Sequence, residues 1–532
     1  MAFTDGVVIS WLCRILLLTG MTVPACEALP GATPLARVTT TKGEIQGRQA
    51  GRVRRFAVPY AQPPLGSLRF KDPSPIGSLA NYDASGLPPA CPQPLPVATS
   101  EDCLYMTVYT PDNATSRSNL PVLVWLHGGS FYYGSTTAYG IDGSDLVKRE
   151  NVVVVTVQYR LGALGFAKSA ALGLTGNYGV KDVIAALQFM QSDIRAFGGD
   201  PSKVTLAGQS SGAELVNTLL ATPSASNLFH RAILQSAPLD FTDQSSETAS
   251  EVGKMFTSQL QCLTQECLTR APVEAVLGAQ ASVMGVGANG GLPGIPMLDS
   301  VFRPVVDGTL VTHTVRDGAA RSTDKAVLMT TMRDEAAQHL AYYFPSPQPQ
   351  YMFEPLVSTF FPSRVRSIVT SGLYDPATKF SGNDRVRDAF TRIATDYMWT
   401  CSNQRLALDM ATQGQQVYLG QFDLGISYSN KTVAYTADKP VHEDDLLTLF
   451  RPAGLAMTRQ QQAVADEVQK RWTSFMKTGS PNRPGLVQWN PVVADNHLNL
   501  LVLGAASSGR SRIDSSQRLE VCAINGGVYT YA

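Results

Sequence analysis

The chain has 532 residues, 44% hydrophobic and 16% charged, and its 43 basic residues are cancelled by 43 acidic ones. This neutral balance carries no basic excess of the kind a nucleic-acid partner needs. The apolar content excludes extended disorder, which requires few apolar residues and high net charge. The chain is long enough to bury a large core.

Residues 6–23 are mostly apolar, interrupted by Arg14, and lead into Pro24-Ala25-Cys26-Glu27-Ala28. The pattern predicts a secretory signal over residues 1–28, cleaved near Ala25 or Ala28. Residues 29–532 are then expected to form one secreted domain. The unbroken apolar run is too short to span a bilayer well, and no second stretch of about 18 apolar residues follows. No stable membrane span is expected after cleavage. Two sequons, at Asn113 and Asn430, are candidate glycosylation sites. Of eight cysteines, Cys13 and Cys26 fall in the signal region. The other six form an even set, which suggests disulfides in a secreted chain.

Residues 36–75 read as short strands broken by Gly- and Pro-rich turns. Residues 121–126 and 152–157 are short apolar runs without polar alternation, as expected of strands covered on both faces. Between 182 and 197 apolar residues recur at helical spacing, and Gly198-Gly199-Asp200-Pro201 stops that helix. A strand at 204–207, a helix at 213–221 and a strand at 232–235 follow. Strands alternating with helices predict an α/β architecture with a mostly parallel central sheet flanked by helices. Residues 240–400 are more helical and less regular, as an inserted cap would be. Within them, residues 285–296 are rich in Gly and Pro and are expected to form a loop. Gly285, Gly287 and Gly290 formally match a dinucleotide fingerprint. That motif must open a helix, and Gly291-Leu292-Pro293-Gly294-Ile295-Pro296 cannot start one.

The central chemical signal is Gly208-Gln209-Ser210-Ser211-Gly212, the only Gly-x-Ser-x-Gly in the chain. It lies between a strand and a helix, the context of a nucleophile elbow, where a tight turn lifts the serine hydroxyl above the sheet edge. A second signal, His127-Gly128-Gly129-Ser130-Phe131, follows a strand directly. Its glycines let backbone N–H groups approach a developing oxyanion. His127 is expected to be structural.

A serine nucleophile needs a base, and the base needs an orienting acid. The chain holds six histidines. In this fold the order is Ser, then Asp or Glu, then His. That order removes His127. His230 follows Ser210 too soon. His313, His339, His442 and His497 all remain, and order does not choose among them.

Several runs resemble the type-B carboxylesterase and cholinesterase family. They are Asn177-Tyr178-Gly179-Val180-Lys181-Asp182, Phe197-Gly198-Gly199-Asp200-Pro201 and the Ser210 motif. Glu101-Asp102-Cys103-Leu104-Tyr105, Tyr159-Arg160-Leu161-Gly162 and Phe229-His230-Arg231-Ala232-Ile233 with Ser236 join them. The resemblance runs from about residue 36 to 525. It implies an α/β-hydrolase fold with helical cap insertions and a Ser-Glu-His triad. Arg333-Asp334-Glu335 matches the family's acid motif, so the resemblance makes Glu335 the acid. His442, within Val441-His442-Glu443-Asp444-Asp445, matches the base motif. The implied oxyanion donors are the N–H groups of Gly129, Ser130 and Ser211. The implied disulfides pair Cys91 with Cys103, Cys262 with Cys267, and Cys401 with Cys522. The chain departs from many relatives, which carry Gly at the positions of Ser130, Ala336 and Glu443, and Ala at that of Ser211.

The leading expectation is hydrolysis of a small-molecule carboxylic ester through an acyl-enzyme on Ser210. Acyl transfer to an alcohol or amine would use the same residues. A non-catalytic adhesion or scaffold relative would usually lack the nucleophile. No cofactor is expected, and no metal site, since His442-Glu443 has no second histidine at position 446.

Overall fold

The structure is a computed structural model. It describes residues 35–138, 140–239, 243–288, 301–322, 324–426, 434–493, 498–505, 509–514 and 521–522. The expected signal, Asn430 and His497 lie outside the described residues. Asn113 lies in an exposed turn.

A large twisted sheet organises the chain. In spatial order its strands begin Leu35–Thr40, Gly43–Ala50, Val53–Pro59 and Tyr105–Pro111. Val153–Val157, Leu120–Leu126, Gly199–Gln209 and Arg231–Gln235 follow. Ala326–Met332, Val417–Phe422, Leu500–Leu503 and Arg512–Asp514 complete the row, and Tyr82–Asp83 pairs off it. Pairing is antiparallel along the N-terminal edge and parallel from Val153–Val157 to Leu500–Leu503.

The central strands are apolar throughout because each side of the sheet has its own core. Val122, Val124 and Leu126 face one cluster, with Val183, Leu187 and Met190 of the helix Tyr178–Asp193. Leu123 and Trp125 face the other, with Trp472 and Phe475 of the helix Arg459–Thr478. Alternate residues of one strand therefore bury on opposite faces. The expected helix over 182–197 begins earlier, at Tyr178. It tightens into a 3₁₀ turn, Ile194–Phe197, and ends at Gly198, where φ is +89°.

The cap is helical, as expected. Ala337–Tyr343, Phe353–Phe360 and Arg385–Thr395 enclose a separate small core that includes Phe353, Val357, Phe390 and Tyr397. One expectation needs correction. Gly285 and Gly287 belong to the helix Val273–Ala288 rather than to a loop. Each glycine costs that helix about 1 kcal/mol relative to alanine. Burial of Val276, Ala279 and Val283 outweighs this cost. Residues 289–296 lie outside the described residues.

Three disulfides join Cys91 to Cys103, Cys262 to Cys267 and Cys401 to Cys522, the pairs the resemblance implies. The last bridges residues 121 apart. In the chain-entropy view it stabilises the fold by about 4 to 5 kcal/mol.

Two family-like runs meet in one buried ion pair. The Arg160 guanidinium donates to both Asp182 oxygens, at 2.8 and 2.7 Å. This locks the segment after Val153–Val157 onto the helix Tyr178–Asp193. These residues are structural, and removing either partner would strand a buried charge.

Candidate active site

The strand Gly199–Gln209 ends at the sheet's C-terminal edge, and Ser210 turns directly into the helix Ser211–Leu220. Ser210 adopts φ +55° and ψ −129°, a conformation that L-residues rarely occupy. The neighbours hold it there. Its N–H donates to the Gln235 carbonyl at 2.9 Å. The flanking glycines leave no alternative, because a Cβ on Gly208 would stand 2.4 Å from the Gly212 oxygen. The side chain sits above the sheet at the positive end of the following helix.

The loop after Leu120–Leu126 lies beside this turn. Gly129 has φ +114°, and a Cβ there would meet the Tyr133 carbonyl at 2.0 Å. Ser130 and Phe131 also hold positive φ, at 53° and 56°. Non-glycine residues in this region are strained, so contacts must fix the loop. The Phe131 N–H donates to Ser211 Oγ at 3.2 Å. Tyr159 donates its hydroxyl to the His127 carbonyl at 2.7 Å. Gln93 clamps both backbone groups of Gly134. The Ser211 hydroxyl thus ties the loop to the elbow. Among the described residues, the N–H groups of Gly129, Ser130 and Ser211 have no hydrogen-bond partner.

The histidines separate cleanly. His127 is buried and stacks on Tyr159 at 4.6 Å. Burial pushes its pKa down to about 4, so it stays neutral and structural. His230 begins the turn into Arg231–Gln235, away from Glu335, and His313 is exposed. Among the described residues, His442 alone is bonded to a candidate acid. Its Nδ1 lies 2.6 Å from Glu335 Oε2. Glu335 is fully buried and accepts the Met332 N–H at Oε1, 2.7 Å.

Burial is the largest influence on His442 and disfavours its charge. Glu335, then Glu443 and Asp445, outweigh it and hold the imidazole above the usual histidine range. Burial likewise raises the Glu443 carboxyl, against the pull of His442. It pushes Asp445 up to about 7. Glu443 occupies a left-handed conformation, φ +76°, a region that favours glycine.

Sequence reasoning did not find four neighbours of His442. Trp399 packs on its ring at 5.5 Å and His339 at 5.6 Å. Trp399 lies in a π-helical segment, Asp396–Thr400, and donates its indole N–H to the Ser236 carbonyl. Gln209 meets His442 Nε2 at 3.1 Å. Asp445 accepts from Gln235 at 2.8 Å. The π-helical segment brings Trp399 to the His442 ring, and no local sequence pattern encodes such a turn. Among the described residues, no hydrogen bond joins Ser210 Oγ to His442, and no cluster of three or more ligating side chains could hold a metal.

The profile of the Carboxylesterase family matches residues 34–523. This chain belongs to that family. It therefore has the α/β-hydrolase fold and is a carboxylic ester hydrolase. Liver carboxylesterase 1 of Oryctolagus cuniculus is 28% identical over 95% of this chain and 96% of that protein. The medium-chain fatty acyl-CoA hydrolase precursor of Anas platyrhynchos is 30% identical over 90% of each. The cocaine esterase of Homo sapiens is 29% identical over 84% of this chain and 82% of that protein. As a family esterase the chain acts on small-molecule esters. Among the described residues, no helix is long and apolar enough to cross a membrane.

Proposed function

We propose that this esterase works through an acyl-enzyme on Ser210, with His442 as base and Glu335 as orienting acid. The observation that carries the reading is the 2.6 Å bond between His442 Nδ1 and the buried Glu335 carboxylate, with Nε2 turned toward the elbow residue Gln209. Glu335 holds the tautomer with hydrogen on Nδ1, leaving the Nε2 lone pair as the base. The Ser210 proton passes to Nε2 as Oγ forms its bond to the ester carbonyl carbon. The carbonyl electrons move to oxygen, and the N–H groups of Gly129, Ser130 and Ser211 receive that charge. Collapse breaks the bond to the alcohol, which leaves with the proton from Nε2. Water then repeats the sequence and frees the acid.

The test is covalent labelling. A fluorophosphonate should label Ser210 and no other residue, because an activated hydroxyl attacks phosphorus as it does a carbonyl. Peptide mapping that finds the label elsewhere rejects the assignment. Incubating enzyme and ester with a panel of alcohols should still give free acid as the main product. If acceptor esters accumulated instead, acyl transfer with the same residues would replace hydrolysis.

The pH dependence follows from the carboxylates. His442 must be neutral to accept a proton, so kcat/KM rises as pH passes its pKa. Glu443 favours the charged imidazolium. Removing that charge lowers the pKa, so the rising limb in Glu443→Gln should shift to lower pH. Superimposable profiles for the two proteins would show that Glu443 does not act on the ring.

Secretion belongs to the same proposal, with residues 1–28 as a cleaved signal, residues 29–532 as one domain, and Asn113 and Asn430 as glycan acceptors. Three disulfides support it, since such bonds persist in oxidising compartments.

A further inference from the structure

The base atom of His442 is already occupied. Nε2 must take the Ser210 proton, yet Gln209 Nε2 stands 3.1 Å from it. Gln209 is 1% exposed and is the last residue of its strand, paired in register with Gln235. Gly128 makes room for it, since a Cβ there would stand 2.8 Å from Gln209 Oε1. With Nδ1–H directed to Glu335, Nε2 carries a lone pair, and the Gln209 amide meets it with an N–H. That hydrogen bond exists only while the imidazole is neutral. Once Nε2 is protonated, two N–H groups face each other in this amide orientation and the bond is lost.

The surroundings of His442 therefore pull in two directions. Glu335, Glu443 and Asp445 favour proton uptake. The rings of His339 and Trp399 pack against the imidazole, and His339 itself stays neutral above strongly acid pH, held down by burial and then by His442. Among the described residues, Gln209 is the one hydrogen-bonding group that favours the neutral ring at Nε2.

We propose that Gln209 is a positioning residue for the base. It holds His442 in the neutral Nδ1–H tautomer with Nε2 at the elbow, and it offsets the carboxylates so that the base is free at lower pH. In turnover Nε2 exchanges the Gln209 N–H for the Ser210 hydroxyl before the proton moves. The inference rests on His442 being the base.

The experiment compares pH profiles of kcat/KM on a p-nitrophenyl ester for wild type, Gln209→Leu and Gln209→Glu, with His442→Ala alongside. Gln209→Leu removes a hydrogen bond made only to the neutral ring. Its midpoint should rise by about half to one pH unit, a three- to tenfold loss on the acid limb. Gln209→Glu should rise further, because a carboxylate at Nε2 favours the imidazolium. Gln209→Asn keeps the amide but loses the reach of one methylene, so it should follow Gln209→Leu. An NMR titration of His442 in Ser210→Ala protein, with and without the Gln209 changes, reads the same midpoint without turnover. It covers any variant too slow to assay. Coincident midpoints in all variants overturn the role of Gln209, whatever happens to the rates. Wild-type turnover in His442→Ala is a separate failure, which removes the base assignment itself.

Discussion

Ser210→Ala should lower kcat on a simple ester by roughly 10⁴- to 10⁶-fold, and His442→Ala by a similar factor. The reason is that each removes one end of a single proton path. Without Oγ there is no nucleophile, and without Nε2 the hydroxyl keeps its proton. Glu335→Gln should cost roughly 10⁴-fold, although it changes one atom. Glu335 accepts on both oxygens, from the Met332 N–H at 2.7 Å and from His442 Nδ1 at 2.6 Å. A glutamine has one oxygen, so its NH₂ must face one of these donors. If it faces His442, the ring is driven to the tautomer with hydrogen on Nε2, and the base is lost. Double and triple variants should be no slower than Ser210→Ala by more than a small factor, because the groups act as a unit. Steady-state rates on a p-nitrophenyl ester decide this. Fully multiplicative losses would mean that the three residues act independently and that the triad reading is wrong.

What could be read from the sequence follows contact distance along the chain. The elbow was legible because its parts are adjacent: an apolar strand, two glycines around Ser210, and a helix. The glycine-rich loop at 127–131 was legible for the same reason. The proposed base was not legible from residue order, which left four histidines open. The bond that distinguishes His442 joins residues 107 apart, and only the family resemblance pointed to it beforehand. Gln209 stands at a variable position of its motif, and its contact with His442 spans 233 residues. His339 and Trp399 carry no pattern of their own. They reach the site because the cap helices fold over it. The error at Gly285 has the opposite origin. Local glycine content suggested a loop, and burial of Val276, Ala279 and Val283 made a helix. Local rules failed where tertiary packing outweighed propensity.

Gly212→Ala should abolish probe labelling and destabilise the fold by several kcal/mol, roughly the upper range for one substitution. The Ser210 hydroxyl is untouched, so the effect must come from geometry. A Cβ on Gly212 would stand 2.2 Å from the Leu126 carbonyl oxygen and 2.6 Å from that of His127. Both are backbone atoms, so no side chain can rotate away. Leu126 ends the strand beside the elbow, and His127 opens the oxyanion loop. The added methyl group therefore pushes apart the two backbone segments that hold Ser210 and the proposed oxyanion donors beside each other. Part of the displacement would also fall on the parallel pairing of Gly208 with Leu126. Gly278→Ala is the matching control. Gly278 lies in the helix Val273–Ala288, and a Cβ there meets nothing within 4 Å. It should stabilise by up to about 1 kcal/mol through helix propensity and leave labelling intact. Thermal melts and fluorophosphonate labelling of both variants make the comparison. A Gly212→Ala protein that melts and labels like wild type would mean that the elbow does not pack against Leu126 and His127 as described.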